Sequence, residues 1–380
     1  MISKFRIGVL VIILNFFASV AMIWGQDNPS LLQMAVPSLN IAPDARGGGM
    51  GDMGAATLPD INSQYWNAAK YAFMGSKAGV SLSYTPWLRK LVNDVALVNM
   101  TGYYKLGNSD LQAISASLRY FSLGEVNIWE NIGDVPYGLN PYEMAFDVAY
   151  SRKLSESYSM AVTLRYIRSD MGTDQNDESN AGNAFSADIS GYLEKYVLMG
   201  NAEALWSFGF NLSNIGSKMN QYLPAKLTLG TGLLYPIDDY NQIGVYLDLN
   251  KYMVPYAPQK EEGETDADYQ TRVDDYKSWP SLSGMLKSFT DSPNGLLKEI
   301  MVSVGAEYSY NQQFFVRGGY FYENANVGNR KYFSVGAGFR MSVFQLDAAY
   351  LISTVPQNPL DQTLRFSLSF DMDGIKNLFR

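Results

Sequence analysis

Ten charged side chains stand among hydrocarbon neighbours: Arg119, Asp147, Arg165, Asp188, Asp248, Glu307, Arg317, Arg340, Asp347 and Arg365. Both signs are present, so the chemistry open to them is ion pairing in a low-dielectric interior, where an unpaired charge is expensive. Such a set can be a salt-bridged network that fills a closed lumen and supports a plug. The alternative is a substrate-selective pore lining. Bond-making chemistry has little to draw on. With 0 His and 0 Cys the commonest general base, the commonest metal ligands and the thiol nucleophile are all missing. Ser-Lys or paired-carboxylate catalysis is formally open, but no spacing singles out a set. No catalytic residue, metal ligand or cofactor-binding residue is expected.

The elements that must position these charges repeat with a period of two. Met160, Val162, Leu164 and Tyr166 alternate with Ala161, Thr163 and Arg165. Phe344, Leu346, Ala348 and Tyr350 alternate with Gln345 and Asp347, and Leu364, Phe366, Leu368 and Phe370 with Thr363, Arg365 and Ser367. Each segment therefore carries one hydrocarbon face and one polar or small face, the pattern of a membrane β-barrel wall. Fourteen segments follow it, near 76-84, 94-106, 110-121, 142-154, 157-169, 184-196, 204-215, 225-235, 241-251, 299-310, 312-322, 331-341, 342-352 and 362-371. A cation on the lipid side would cost about 2–4 kcal/mol near the midplane, which forces the ten charges onto the inner face.

Connection lengths test that count independently. Tight turns join even to odd segments at Leu106 to Asp110, Leu154 to Tyr158, Tyr196 to Ala204, Pro236 to Asn241, Asn311-Gln312 and Met341-Ser342, whereas 122-141, 170-183 and 252-298 are long. A single-chain bacterial barrel has short periplasmic turns and long outer loops, which puts both termini in the periplasm. The expected fold is thus all-β, a 14-stranded antiparallel transmembrane barrel over residues 76-371 followed by a tail at 372-380.

The start of the chain agrees with export. Lys4 and Arg6 precede an almost wholly apolar run from Ile7 to Trp24, with small residues for cleavage at Gly25-Gln26 or Ala21-Met22, so 1-25 reads as a signal peptide. Exported barrels of this kind belong in the cell outer membrane. The mean hydropathy of −0.12 is low for a helical membrane protein, because inward residues dilute each strand. The chain is rich in Tyr (27) and Phe (19), as expected where aromatic girdles mark the two interfaces of a barrel. A net charge of −8 argues against a nucleic-acid partner.

Two segments fall outside the wall. Residues 26-75 are rich in Gly, Ala, Asn and Asp and lack either periodicity, which suits a folded plug in which Asp44 and Arg46 find partners among the lumen charges Arg119, Arg165, Arg317, Arg340 and Arg365 and their acidic counterparts. A long tether is the alternative. The outer loop 252-298 opens with a solvated acidic stretch, Glu261 to Asp275, and continues through Leu282, Met285, Leu286 and Phe289, the spacing of a short amphipathic helix. Gly49-Met50-Gly51-Asp52-Met53-Gly54 has the letters of a dinucleotide fingerprint, but no βαβ unit surrounds it. Its glycines fit tight packing in a plug loop instead. In the first outer loop Trp87, Leu88 and Arg89 have the composition of a partner-binding hot spot, with the interfacial aromatic belt as the other reading.

Particular residues also carry a resemblance. The runs Ile41-Ala42-Pro43-Asp44-Ala45-Arg46-Gly47-Gly48-Gly49-Met50-Gly51-Asp52, Asn62-Ser63-Gln64-Tyr65-Trp66-Asn67 and Ser83-Tyr84-Thr85-Pro86-Trp87-Leu88 resemble the PorV family, outer-membrane proteins of the type IX secretion system in the Bacteroidetes lineage. Ser117 to Glu125, Asn211-Leu212-Ser213-Asn214-Ile215-Gly216, Val316 to Phe321 and Gly328 to Phe333 are similar to it as well. Departures are confined to the acidic part of 252-275 and to the loops 125-141 and 170-183. The resemblance implies a barrel related in fold to FadL-type fatty-acid channels but working in protein export. It further implies binding of the C-terminal signal domain of cargo leaving the translocon barrel, and delivery to attachment-complex subunits that include a sortase-like peptidase. The partners so implied are the type IX translocon barrel subunit, cargo signal domains, the sortase-like attachment complex and outer-membrane lipid. The competing expectation is a FadL-like channel for long-chain fatty acids or other hydrophobic solutes.

Overall fold

The computed structural model describes residues 32–87, 94–107, 110–128, 137–173, 179–293, 295–356 and 360–372. The expected signal peptide, all but the first residue of the expected tail, and Leu88 and Arg89 lie outside the described residues. The strands run in chain order as β1 (Ala78–Pro86), β2 (Val95–Leu106), β3 (Gln112–Leu123), β4 (Val126–Ile128), β5 (Tyr137–Leu139), β6 (Tyr142–Lys153), β7 (Tyr158–Thr173) and β8 (Ser179–Met199). They continue as β9 (Ala202–Gly216), β10 (Lys226–Pro236), β11 (Asn241–Tyr252), β12 (Met301–Tyr310), β13 (Phe314–Tyr322), β14 (Lys331–Met341), β15 (Phe344–Ser353) and β16 (Leu364–Asp371).

All but β4 and β5 form one closed antiparallel barrel of 14 strands, each beside its chain neighbour, with β1 paired to β16 from Gly79↔Asp371 to Tyr84↔Phe366. Closure leaves no strand edge unpaired, the condition for β-structure to cross a membrane. The period of two sets the faces. In β1, Ser81, Ser83 and Thr85 are buried while Val80, Leu82 and Tyr84 are exposed on the hydrocarbon side. Turns between even and odd barrel strands are tight; at Asn311-Gln312 two consecutive positive φ angles, 53° and 52°, give the mirror-image turn geometry that matches strand twist.

Three features depart from the sequence expectation. β7 and β8 extend through much of the expected loop 170-183, because their outer ends go on pairing from Asp170↔Ala181 to Thr173↔Ser179. The expected loop 122-141 holds the β4–β5 hairpin, paired from Val126↔Leu139 to Ile128↔Tyr137. The acidic stretch is solvated as expected but helical: α3 (Asp266–Ser278) buries no residue and is capped by Thr265, whose side chain accepts from the Asp268 N–H. The short amphipathic helix follows as α4 (Ser281–Thr290).

The N-terminal segment contains two single-turn helices, α1 (Ala45–Gly48) and α2 (Ser63–Trp66), and 3-10 turns at Pro37–Asn40 and Ala68–Phe73. Its backbone meets inward side chains from around the barrel. The Ala45 N–H donates to Ser367 Oγ on β16 (2.9 Å), the Gly51 N–H to Ser334 Oγ on β14 (2.7 Å), and the Gly54 and Ala55 N–H groups to Asp248 on β11 (2.9 and 3.0 Å). On the opposite side Ser115 donates to Gln64 (2.6 Å), Ser159 to the Ala69 carbonyl (2.8 Å) and Ser207 to the Ala56 carbonyl (2.6 Å). A segment without a ladder of its own must satisfy its peptide groups this way once it is removed from water. The glycine run has a steric reason. Gly51 has φ +84°, and a Cβ there would lie 2.9 Å from the Tyr320 carbonyl oxygen.

Candidate functional site

The inner charges gather into two clusters and several single anchors. On β6–β8, Arg165 donates to Asp147 (2.6 and 3.0 Å) and to Asp188 (3.1 and 2.9 Å), and its Nη1 also contacts Asn214 Oδ1. Asp147 is the cross-strand partner of Arg165, so adjacent register brings the pair together. The Asn214 N–H donates to Asp188 Oδ1 at 2.7 Å from a backbone with φ 58°, beside a register shift between β8 and β9. On β12–β15, Arg317 donates to Glu307 (2.5 Å) and Asp347 (2.6 Å). The N-terminal segment completes this second cluster: Arg46 makes a two-pronged contact with Glu307 (3.0 and 2.9 Å) and another with Asp60 (2.7 Å).

The other sequence-selected charges have different partners from those expected. Among the described residues Asp44 forms no ion pair with a wall cation. It caps α1 by accepting from the Gly47 N–H (2.8 Å) and takes a second bond from Trp66 Nε1 (2.6 Å). Burial, with help from Asp60, pushes its carboxyl up to about 6. The wall cation Arg365 pairs instead with Asp52, a residue of the discounted glycine run, and Asp52 also accepts from Tyr332 Oη (2.6 Å). Arg119 turns to the Leu39 and Ile41 carbonyls and lies over the Tyr65 ring at 4.9 Å. Arg340 keeps the inward phase but is exposed at the short-turn mouth, bonded to Gln345 (2.8 Å). Sequence reasoning missed Asp52, Asp60, Glu143 and Lys70. Glu143 accepts from the Ser38 N–H (3.1 Å), and Lys70 is wholly buried with its Nζ on the Gly54 carbonyl (2.8 Å) and Thr57 (3.0 Å). Only Glu143 had a signal, the inward phase of its strand.

Space inside the barrel is uneven. At the long-loop end an open cleft of about 690 Å³ is lined largely by apolar residues, among them Ile41, Trp87, Val95, Phe121 and Leu123, with Asn40, Asp52, Asn329, Arg330 and Tyr332 among the polar ones. Trp87 packs with Ile41, Val95, Leu97 and Phe121, on the inward side, which removes it from the lipid-facing aromatic belt. At the other end are recesses of about 360 and 290 Å³ that share Arg46, Leu58, Pro59 and Arg340. Between them, beside Tyr65, Arg119 and Arg165, the internal space shrinks to about 30 Å³, room for about two water molecules.

A closed antiparallel wall, hydrocarbon outside and charged within, defines a membrane-spanning β-barrel. TodX, a toluene transporter of Pseudomonas putida, shares this fold with a TM-score of 0.51 at 9% identity, over 90% of this chain and 99% of that one. The Ralstonia pickettii toluene transporter TbuX aligns over 88% and 98% of the two chains at 12% identity with a TM-score of 0.47. A FadL homologue of Pseudomonas aeruginosa aligns over 87% and 98% at 11% identity with a TM-score of 0.44. No curated protein matches the chain. The chain belongs to the PorV family: the family described as type IX secretion system protein PorV matches residues 25–260, more than half its length. It is therefore an outer-membrane component of type IX secretion.

Proposed function

We propose that this chain binds the C-terminal signal domain of cargo leaving the type IX translocon barrel and carries it to the sortase-like attachment complex at the cell surface. The observation that carries the reading is the contrast between the two ends of the lumen. The outer end offers a largely apolar cleft of about 690 Å³, whereas the centre narrows to about 30 Å³ among ion-paired side chains. A solute channel needs a continuous apolar path or a side opening in the wall; a docking protein tolerates a sealed lumen and needs only the outer end. In this reading the N-terminal segment is a plug, held by Arg46 and Asp52, and Trp87 with Leu88 and Arg89 forms the edge of the docking surface. Handing cargo on requires no energy source in this chain, only unequal affinities between successive partners.

The test is deletion of the gene. Many unrelated secreted proteins sharing a C-terminal domain should fail to reach the surface, while uptake of long-chain fatty acids stays normal. Normal secretion with impaired uptake would overturn the reading in favour of the channel. In the intact barrel, Trp87→Ala with Leu88→Ala should block cargo release without lowering the amount of barrel in the membrane. Loss of such an anchor costs about 2 kcal/mol or more of binding.

A further inference from the structure

Helix α4 exposes hydrocarbon that the barrel core does not use. Leu282 and Leu286 are 63% and 67% exposed, and Phe289 continues the same stripe at helical spacing. On a 100° wheel three faces separate. Gly284, Met285 and Ser288 are buried and face the protein; Leu282, Leu286 and Phe289 lie on one flank, roughly 120° round; Ser283, Lys287 and Thr290 lie on the other.

What α4 packs against shows where that flank points. Met285 joins a cluster with Leu212 of β9 and Leu227 of β10. These two are cross-strand partners, and Leu227 also pairs with Lys251 of β11. All three lie on the phase of Phe208, Leu229 and Leu249, which is the lipid-facing phase of the wall. The helix thus rests on the outside of the barrel, at the long-loop ends of β9 to β11. A second observation agrees. Lys251 occupies a lipid-facing position yet is only 6% exposed, because the returning loop covers it: Glu299 pairs with its Nζ at 2.6 Å and the Phe289 ring lies 5.3 Å away. Covering this charge is needed only if the surroundings are hydrocarbon.

We propose that α4 is an interfacial helix, with its Leu282–Leu286–Phe289 flank immersed in the acyl chains of the outer leaflet. The helix packs on lipid-phase residues of the wall and the flank beside that contact is exposed hydrocarbon, so the occupant is lipid. A helix of this kind binds through apolar area on one side and leaves its polar side at head-group level, where Ser283, Lys287 and Thr290 stand. Its effect is to tie the long loop to the bilayer on one side of the barrel. The acidic helix α3, which buries no residue, then stands above the membrane, tied back through Tyr276 to the Pro255 carbonyl and the Tyr222 ring.

The native chain has 0 Cys, so single-cysteine reporters are unambiguous. The full barrel carrying Leu286→Cys, Leu282→Cys or Ser283→Cys is labelled with an environment-sensitive fluorophore. It is reconstituted in phosphatidylcholine vesicles, with and without nitroxide on the upper acyl chain, and retention of the heat-modifiable barrel band checks folding. Nitroxide lipid should quench the 282 and 286 labels about two-fold or more over the 283 label, and aqueous iodide should show the reverse order. Equal quenching on both flanks overturns the proposal. So does shielding of the 286 label from both quenchers, which would make the flank a protein-binding face. Should Leu286→Cys lose the folded band, the 282 label decides alone.

Discussion

The two ion-pair clusters of the lumen differ in who supplies the charges. Around Arg165 the hydrogen-bonding partners among the described residues come from the wall: Asp147 on β6, Asp188 on β8 and Asn214 on β9. Around Arg317 the wall supplies Glu307 and Asp347, and the N-terminal segment adds Arg46, which brings Asp60 with it. The first cluster is a fastener between strands. The second joins two parts of the molecule that otherwise meet through one further ion pair, Asp52 with Arg365, and through hydrogen bonds and packing. In both, removing a cation strands buried carboxylates, which is why breaking such pairs costs far more than the pairs contribute. The difference between them predicts where each loss is felt.

The largest effect is expected at Arg165→Ala. Two buried aspartates lose their cation within the wall, so the barrel itself should be destabilised by about 3–5 kcal/mol, read as a lower temperature for conversion of the heat-modifiable band. An unchanged conversion temperature would show that water or protonation compensates, and would remove the distinction between the clusters. Arg46→Ala should act elsewhere. Barrel conversion should move much less, while residues 32–75 become accessible to protease added at the short-turn side of vesicles. Equal losses of wall and segment would instead make them one cooperative unit.

The smallest effect is expected from Asp44, whose carboxyl is buried and raised to about 6 from 3.8. An acid with a raised folded pKa holds its proton more tightly in the folded state. Stability is then full at low pH, falls as pH rises from 3.8 towards about 6, and is level above it, by at most about 3 kcal/mol. Protection of the N-terminal segment from protease should therefore be greater at acidic than at neutral pH. Asp44→Asn should remove that dependence while keeping an acceptor for the Gly47 N–H. An unaltered pH profile in the variant would assign the titration to another group.

Much of this architecture was legible in the chain because a barrel wall has one local rule. Alternation is set by the strand itself, so each inward charge could be assigned from its neighbours, as with Arg165 between Leu164 and Tyr166, and the strand count that alternation gave was checked by turn parity. Outer strand ends were not legible: β7 and β8 go on pairing through Asp170↔Ala181, past the residues in which hydrocarbon and polar side chains alternate. Pairings with the N-terminal segment were equally hidden. Arg365 takes Asp52 and not Asp44 because three-dimensional placement, and no spacing in the sequence, sets that contact. The wheel of α4 revealed three faces, but only packing on Leu212 and Leu227 placed it outside the wall. Sequence alone determined which side chains face inward and which face lipid, since solvent on the two sides of a strand imposes that residue by residue. Tertiary structure alone decided which charges meet and how far the lumen is filled, since those depend on where an irregular segment, with no ladder of its own, comes to rest.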